Sequence, residues 1–138
     1  MFLYNKITKM EKIHKALKNK EWENTMKKTK MLKKNYQFRN VLSKGNFYKE
    51  KNIEIVTQKN SKKINLLGIA ISKKNGKAFQ RNKLKRLIRE SYRALEPQLT
   101  DGNNIIVLVK KEADAKQINY QEILESLKQC FYKAKIIK

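Results

Sequence analysis

Nine cations and a single acid occupy the 21 residues that follow Ser72: Lys73, Lys74, Lys77, Arg81, Lys83, Lys85, Arg86, Arg89 and Arg93, against Glu90. The chain holds five arginines, and four of them fall here, while lysine dominates elsewhere. Arginine forks suit bidentate phosphate recognition, so their concentration points to a polyanion. At about 100° per residue the segment reads as a helix over residues 77–95. Leu84, Leu87, Ile88, Tyr92 and Leu95 gather on one side of it, and Asn82, Lys85, Arg86, Arg89 and Arg93 nearly opposite. Ahead of the helix, Lys73, Lys74 and the Asn75-Gly76 turn present ammonium and backbone N–H groups where phosphate oxygens are readily held. A basic helix face is often no more than a solvated surface, and charge alone does not separate the two.

The rest of the chain offers little other chemistry. Its net charge of +22 over 138 residues repels itself in a compact fold, which a phosphate-bearing partner relieves through counterion release. There is one histidine, His14, in an N-terminal tail, so histidine-based acid–base chemistry has no candidate in the body of the chain. The single cysteine, Cys130, excludes an intramolecular disulfide or a thiolate zinc cluster and reads as a buried thiol. Glu90, Glu96, Asp101 and Asp114 show no metal-ligand spacing, which argues against a protein-only nuclease and against a metal site. No apolar run reaches membrane-spanning length, and a cytoplasmic protein without membrane association is expected.

Residues 1–31 differ in composition and carry +6 of the charge, leaving +16 for residues 32–138. The expectation is a basic extension over 1–31, flexible or a short helix with Met10, Ile13 and Leu17 on one face, ahead of one domain over 32–138. Met26 and Met31 stand as alternative first residues.

Within the domain, Phe38, Val41 and Leu42 define a helix over residues 33–43, with Asn35 as its cap and Gly45 ending it in a left-handed turn. A weak strand at Phe47-Tyr48 follows, then one over 53–57 and one over 66–72. The last is apolar on both faces, as a central strand is. After the basic helix, Pro97 and Gly102 mark an exit. A buried strand over 105–109 precedes a closing helix over 120–133 whose Tyr120, Ile123, Leu124, Leu127 and Phe131 form a core stripe. The class is α+β, in the order α-β-β-β-α-β-α.

The run from Gly68-Ile69-Ala70-Ile71-Ser72-Lys73-Lys74 through Arg81-Asn82-Lys83-Leu84-Lys85-Arg86-Leu87-Ile88-Arg89 closely resembles the signature of the bacterial ribonuclease P protein subunit. In that family a strand ending Ser-Lys-Lys leads into a helix with an arginine–asparagine–arginine core. Leu32-Lys33-Lys34 with Phe38, Val41 and Gly45 is similar to the family's opening helix, so the resemblance covers residues 32 to about 135. It implies a mixed four-stranded sheet with a left-handed strand–helix–strand crossover.

It further implies a non-catalytic, monomeric subunit of a ribonucleoprotein endonuclease that matures the 5′ end of tRNA. The partners would be ribonuclease P RNA and precursor tRNA. The RNA, with magnesium, would do the hydrolysis, and the protein alone would bind no cofactor. By position, Lys73, Lys74, Arg81, Asn82, Lys83, Lys85, Arg86, Arg89 and Arg93 would bind RNA. Phe38, Leu42 and Val56 would line the cleft for the 5′ leader. Lys83 departs from the family's usual arginine and keeps the charge without the planar fork. Leu42 and Val56 stand where relatives often carry Phe and Tyr, so apolar contact replaces stacking there. A ribosomal or RNA-chaperone protein on a similar scaffold is the alternative.

Overall fold

The structure, a computed structural model, describes Met26 and residues 28–138. The stripe of Met10, Ile13 and Leu17, with His14, lies outside the described residues. Five strands and three helices follow in the order β1 Thr29–Met31, α1 Asn35–Lys44, β2 Asn46–Lys49, β3 Ile53–Lys59, β4 Asn65–Ala70, α2 Ala78–Leu95, β5 Asn103–Val109 and α3 Tyr120–Ala134. A 3-10 turn, Lys73–Asn75, connects β4 to α2.

The strands form one mixed sheet in the order β1-β4-β5-β3-β2. β1, β4 and β5 are mutually parallel, with β3 antiparallel to β5 and β2 antiparallel to β3. Parallel neighbours require a crossover, and α2 supplies it between β4 and β5. Alternation along the strands divides the core in two. Ile53, Ile55, Leu67, Ile105 and Val107 point toward α2 and α3. Val56, Ile106, Leu66 and Leu108 point toward α1. The α+β class therefore holds, and all five residues expected on the underside of α2 are buried.

The sheet has five strands rather than the expected four. The additional strand is β1, paired in parallel with β4 through Thr29↔Asn65 and Met31↔Leu67. Met26 and Thr29 are buried, so the folded body reaches back past the boundary expected at residue 32. Thr29 Oγ1 and Tyr92 Oη share a hydrogen bond of 2.8 Å, which ties the edge strand to α2. Tyr92 in turn meets Phe131 of α3 edge-to-face at 6.2 Å.

Two local details differ from expectation. Asn35 is the first residue of α1 rather than its cap, a place taken by Lys34. Gly45 ends α1 in extended backbone, φ −79°. Its glycine is required by close approach instead, since a Cβ there would stand 2.6 Å from both Val41 O and Val56 Cγ1. Cys130 is buried as expected, and burial pushes its thiol up to about 12.

Candidate nucleic-acid interface

The interface begins at the turn ahead of α2. Ser72 Oγ accepts from Lys74 N at 3.2 Å, and Gln80 Oε1 accepts from Lys77 N at 2.8 Å. Asn75 is buried and its Nδ2 donates to Lys110 O at 2.7 Å, which fastens the turn to the end of β5. Gly76 has φ +135°, a backbone region that L side chains rarely adopt. The expected anion site is thus altered in kind. Three of its N–H groups, those of Lys74, Asn75 and Lys77, are already engaged within the protein, and the exposed Lys73 and Lys74 present their charge from a braced turn.

Along α2, Lys83, Arg86 and Arg93 are exposed, while Asn82, Lys85 and Arg89 are half-buried. Arg81 behaves differently. It is only 8 % exposed, and its Nε has no hydrogen-bond partner. Position 81 lies one turn before Lys85 and two before Ile88, at the border between the cationic and packed faces. Buried guanidinium is costly unless paired, and little of this one is open to a partner.

Arg81, Lys85 and Arg89 form an i, i+4, i+8 row of like charge. Burial lowers the Lys85 pKa, and the adjacent Arg89 and Arg81 lower it further. Burial also lowers that of Arg89. Like charges at this spacing destabilise a helix by roughly 0.2–0.5 kcal/mol per pair. Asn82, beside the row, has its Oδ1 buried without a hydrogen bond. The face is held in an electrostatically unfavourable arrangement by its apolar underside, and an anionic partner would relieve it.

The three residues expected to line the leader cleft fall in one apolar cluster but differ in exposure. Phe38 is half-buried, its ring against Gly68 and Leu32. Leu42 is half-buried in the same cluster. Val56 has no exposed surface at all, lying beneath α1 with Val41 and Ile106, and so presents nothing to a base.

Beyond α1, at the far end of the sheet, a depression of about 830 Å³ is lined by the paired positions Glu54, Leu108 and Ala70. Lys49, Lys51, Lys110 and Lys111 rim it, next to Ser72. These lysines are scattered along the sequence and share no local pattern. The pairing Ala70↔Leu108 is what brings residues 110 and 111 beside the Ser72 turn.

Among the described residues no three of His, Cys, Asp and Glu gather where they could hold a metal ion. No described helix is long and apolar enough to cross a membrane.

The family model described as Ribonuclease P matches residues 26–135. The chain is 36% identical over 107 residues to the ribonuclease P protein component of Natranaerobius thermophilus, covering 78% of this chain and 91% of that protein. It is 38% identical to that of Dictyoglomus turgidum, covering 80% and 93%. Among solved structures, the Staphylococcus aureus RNase P protein superposes with a TM-score of 0.70 at 31% identity, covering 78% of this chain and 97% of that one. The Thermotoga maritima RNase P protein gives 0.66 at 26% identity, covering 72% and 93%. The chain belongs to the bacterial ribonuclease P protein family and is the protein component, partnered by ribonuclease P RNA, of an endoribonuclease of tRNA 5′ processing.

Proposed function

We propose that α2 docks on ribonuclease P RNA through Lys83, Arg86, Arg89 and Arg93, with Lys73 and Lys74 extending the contact at the preceding turn. The observation that carries this reading is the rigid placement of exposed cations opposite a fully buried apolar underside on one helix. Each phosphate neutralised there releases counterions, so affinity falls as salt rises. Asn82 sits among these cations as an amide able to donate or accept. Arg81 and Lys85 raise the local potential from a less exposed position.

The 5′ leader of precursor tRNA is the second ligand. Phe38 and Leu42 offer it an apolar, partly exposed wall, and the lysine-rimmed depression beyond α1 offers charge for its backbone. Single strands bind in this manner, with bases on aromatic surfaces and phosphates in a basic groove. Glu54 and Glu112 at the depression are interleaved with lysines, an arrangement that does not suit a magnesium site. Magnesium bound by the RNA supplies charge stabilisation for the hydrolysis. The protein's own residues bind and orient, as one copy per complex in the cytoplasm.

Reconstitution tests this directly. Added to a bacterial ribonuclease P RNA at low magnesium, the protein is expected to restore turnover of precursor tRNA, and the protein alone to cleave nothing. Cleavage by RNA-free protein would overturn the division of labour.

A further inference from the structure

Four large apolar side chains are exposed among the described residues, Tyr36, Phe47, Phe79 and Tyr132, and Phe79 is the one that stands on the cationic helix. It is 53% exposed. Spacings of three, four and seven residues put it on the same face as Asn82, Lys83 and Arg86. Tyr36 provides a contrast, because the Lys34 ammonium already lies 5.7 Å from the centre of its ring.

Phe79 also borders a depression of about 630 Å³ formed by the 3-10 turn, the start of α2 and the segment between β5 and α3. Lys74, Lys77 and Lys116 line it, together with Glu112 and Asp114. Cations alone would suit any phosphate. The two carboxylates would repel a bare anion, yet they accept hydrogen bonds from the N–H groups of a nucleobase. An aromatic face, ammonium groups and acceptors around one cavity match the three parts of an unpaired nucleotide: its π-surface, its phosphate and its polar edge.

We propose that Phe79 is a stacking platform for an unpaired nucleobase of ribonuclease P RNA, with the adjoining phosphate held by Lys74 and Lys77. The proposal rests on the reading that α2 docks on that RNA, and adds to it a contact that is not electrostatic. Stacking is tolerant of base identity because every base has a π-face. It releases no counterions, so it adds affinity without altering the salt dependence.

The test is binding of the full chain to ribonuclease P RNA over a range of salt, for wild type and for Phe79→Ala, Phe79→Leu and Phe79→Trp. The Ala and Leu variants are expected to bind roughly 5- to 100-fold more weakly, and the Trp variant as well as wild type or better. All three are expected to keep the wild-type log–log salt slope and thermal midpoint, since the side chain is exposed and uncharged. Unchanged affinity in Phe79→Ala, or full retention by Phe79→Leu, would each overturn the assignment. If wild type itself does not bind the RNA, the underlying docking reading fails, a result distinct from a parent that binds and variants that bind equally.

Discussion

The ring of Phe38 lies across the backbone of Gly68: a Cβ built at position 68 would stand 2.6 Å from Phe38 Cζ and 3.1 Å from Leu32 Cδ1. Gly68 has the ordinary backbone of a strand, so its lack of a side chain serves this contact rather than a turn. The contact seats α1 on the α1-facing side of β4, and it fixes which part of the Phe38 ring remains for a ligand. Helix seating and the proposed leader wall therefore share one piece of packing.

Gly68→Ala is the direct probe of that seating. The added methyl has to displace the Phe38 ring, and overpacking of this kind costs about 1–3 kcal/mol. In denaturant unfolding the midpoint is expected to fall with the m-value unchanged. An alanine variant as stable as wild type would mean that the ring moves aside at no cost, and that α1 is not seated by this contact.

Phe38 packs on Gly68 and, in the proposed function, faces the 5′ leader, and one substitution distinguishes the two. Phe38→Leu keeps apolar contact with Gly68 but loses the aromatic face, whereas Phe38→Ala loses both. If a leader base stacks there, Phe38→Leu weakens precursor tRNA with a long 5′ leader by about 1–3 kcal/mol and leaves leaderless tRNA unaffected. Equal weakening of both substrates would assign Phe38 to packing alone. Comparing holoenzyme affinities for the two substrates gives the answer.

What was legible in the sequence was what local periodicity encodes. The helix expected over 77–95 forms as Ala78–Leu95 with its apolar stripe buried, because alternation of faces every turn is written into neighbouring residues. β1 was not legible. Thr29-Lys30-Met31 is three residues long in a lysine-rich stretch, and it becomes a strand only through pairing with Asn65–Leu67 and the bond from Thr29 to Tyr92, 63 residues away. The fates of Arg81 and Val56 were equally hidden. Arg81 lies at the border of two helix faces, and what covers it is decided by tertiary neighbours. Val56 alternates correctly within its strand, but α1 closes over it completely. The same limit applies to the lysines around the depression, which the pairing of β5 with β4 on one side and with β3 and β2 on the other assembles.

Arg86 and Arg93 are the exposed arginines of α2. The double variant Arg86→Gln, Arg93→Gln is expected to fold normally and to bind ribonuclease P RNA more weakly. The log–log salt slope should become shallower by about 0.7–0.9 for each phosphate contact removed. Affinity measured at several salt concentrations decides the matter. A slope identical to wild type would show that these two side chains meet no phosphate.

Lys85 is expected to act on stability and on RNA binding with opposite signs. Burial, then Arg89 and Arg81, lower its pKa from the ordinary 10.5, so over the interval between the lowered value and 10.5 the unfolded chain binds more protons than the folded one. Stability contributed by this group therefore rises with pH across that interval, and is lost as pH falls below it. Lys85→Met removes two like-charge pairs at i−4 and i+4, which is expected to stabilise the free protein at neutral pH by about 0.4–1 kcal/mol. It should also reduce the alkaline rise in stability. A docked phosphate favours the charged ammonium, so the same variant is expected to bind RNA more weakly. Thermal unfolding at neutral and alkaline pH, paired with RNA affinity, tests both halves. A methionine variant that is less stable at neutral pH, or one that binds RNA as tightly as wild type, would show that the Arg81–Lys85–Arg89 row is not strained in the service of binding.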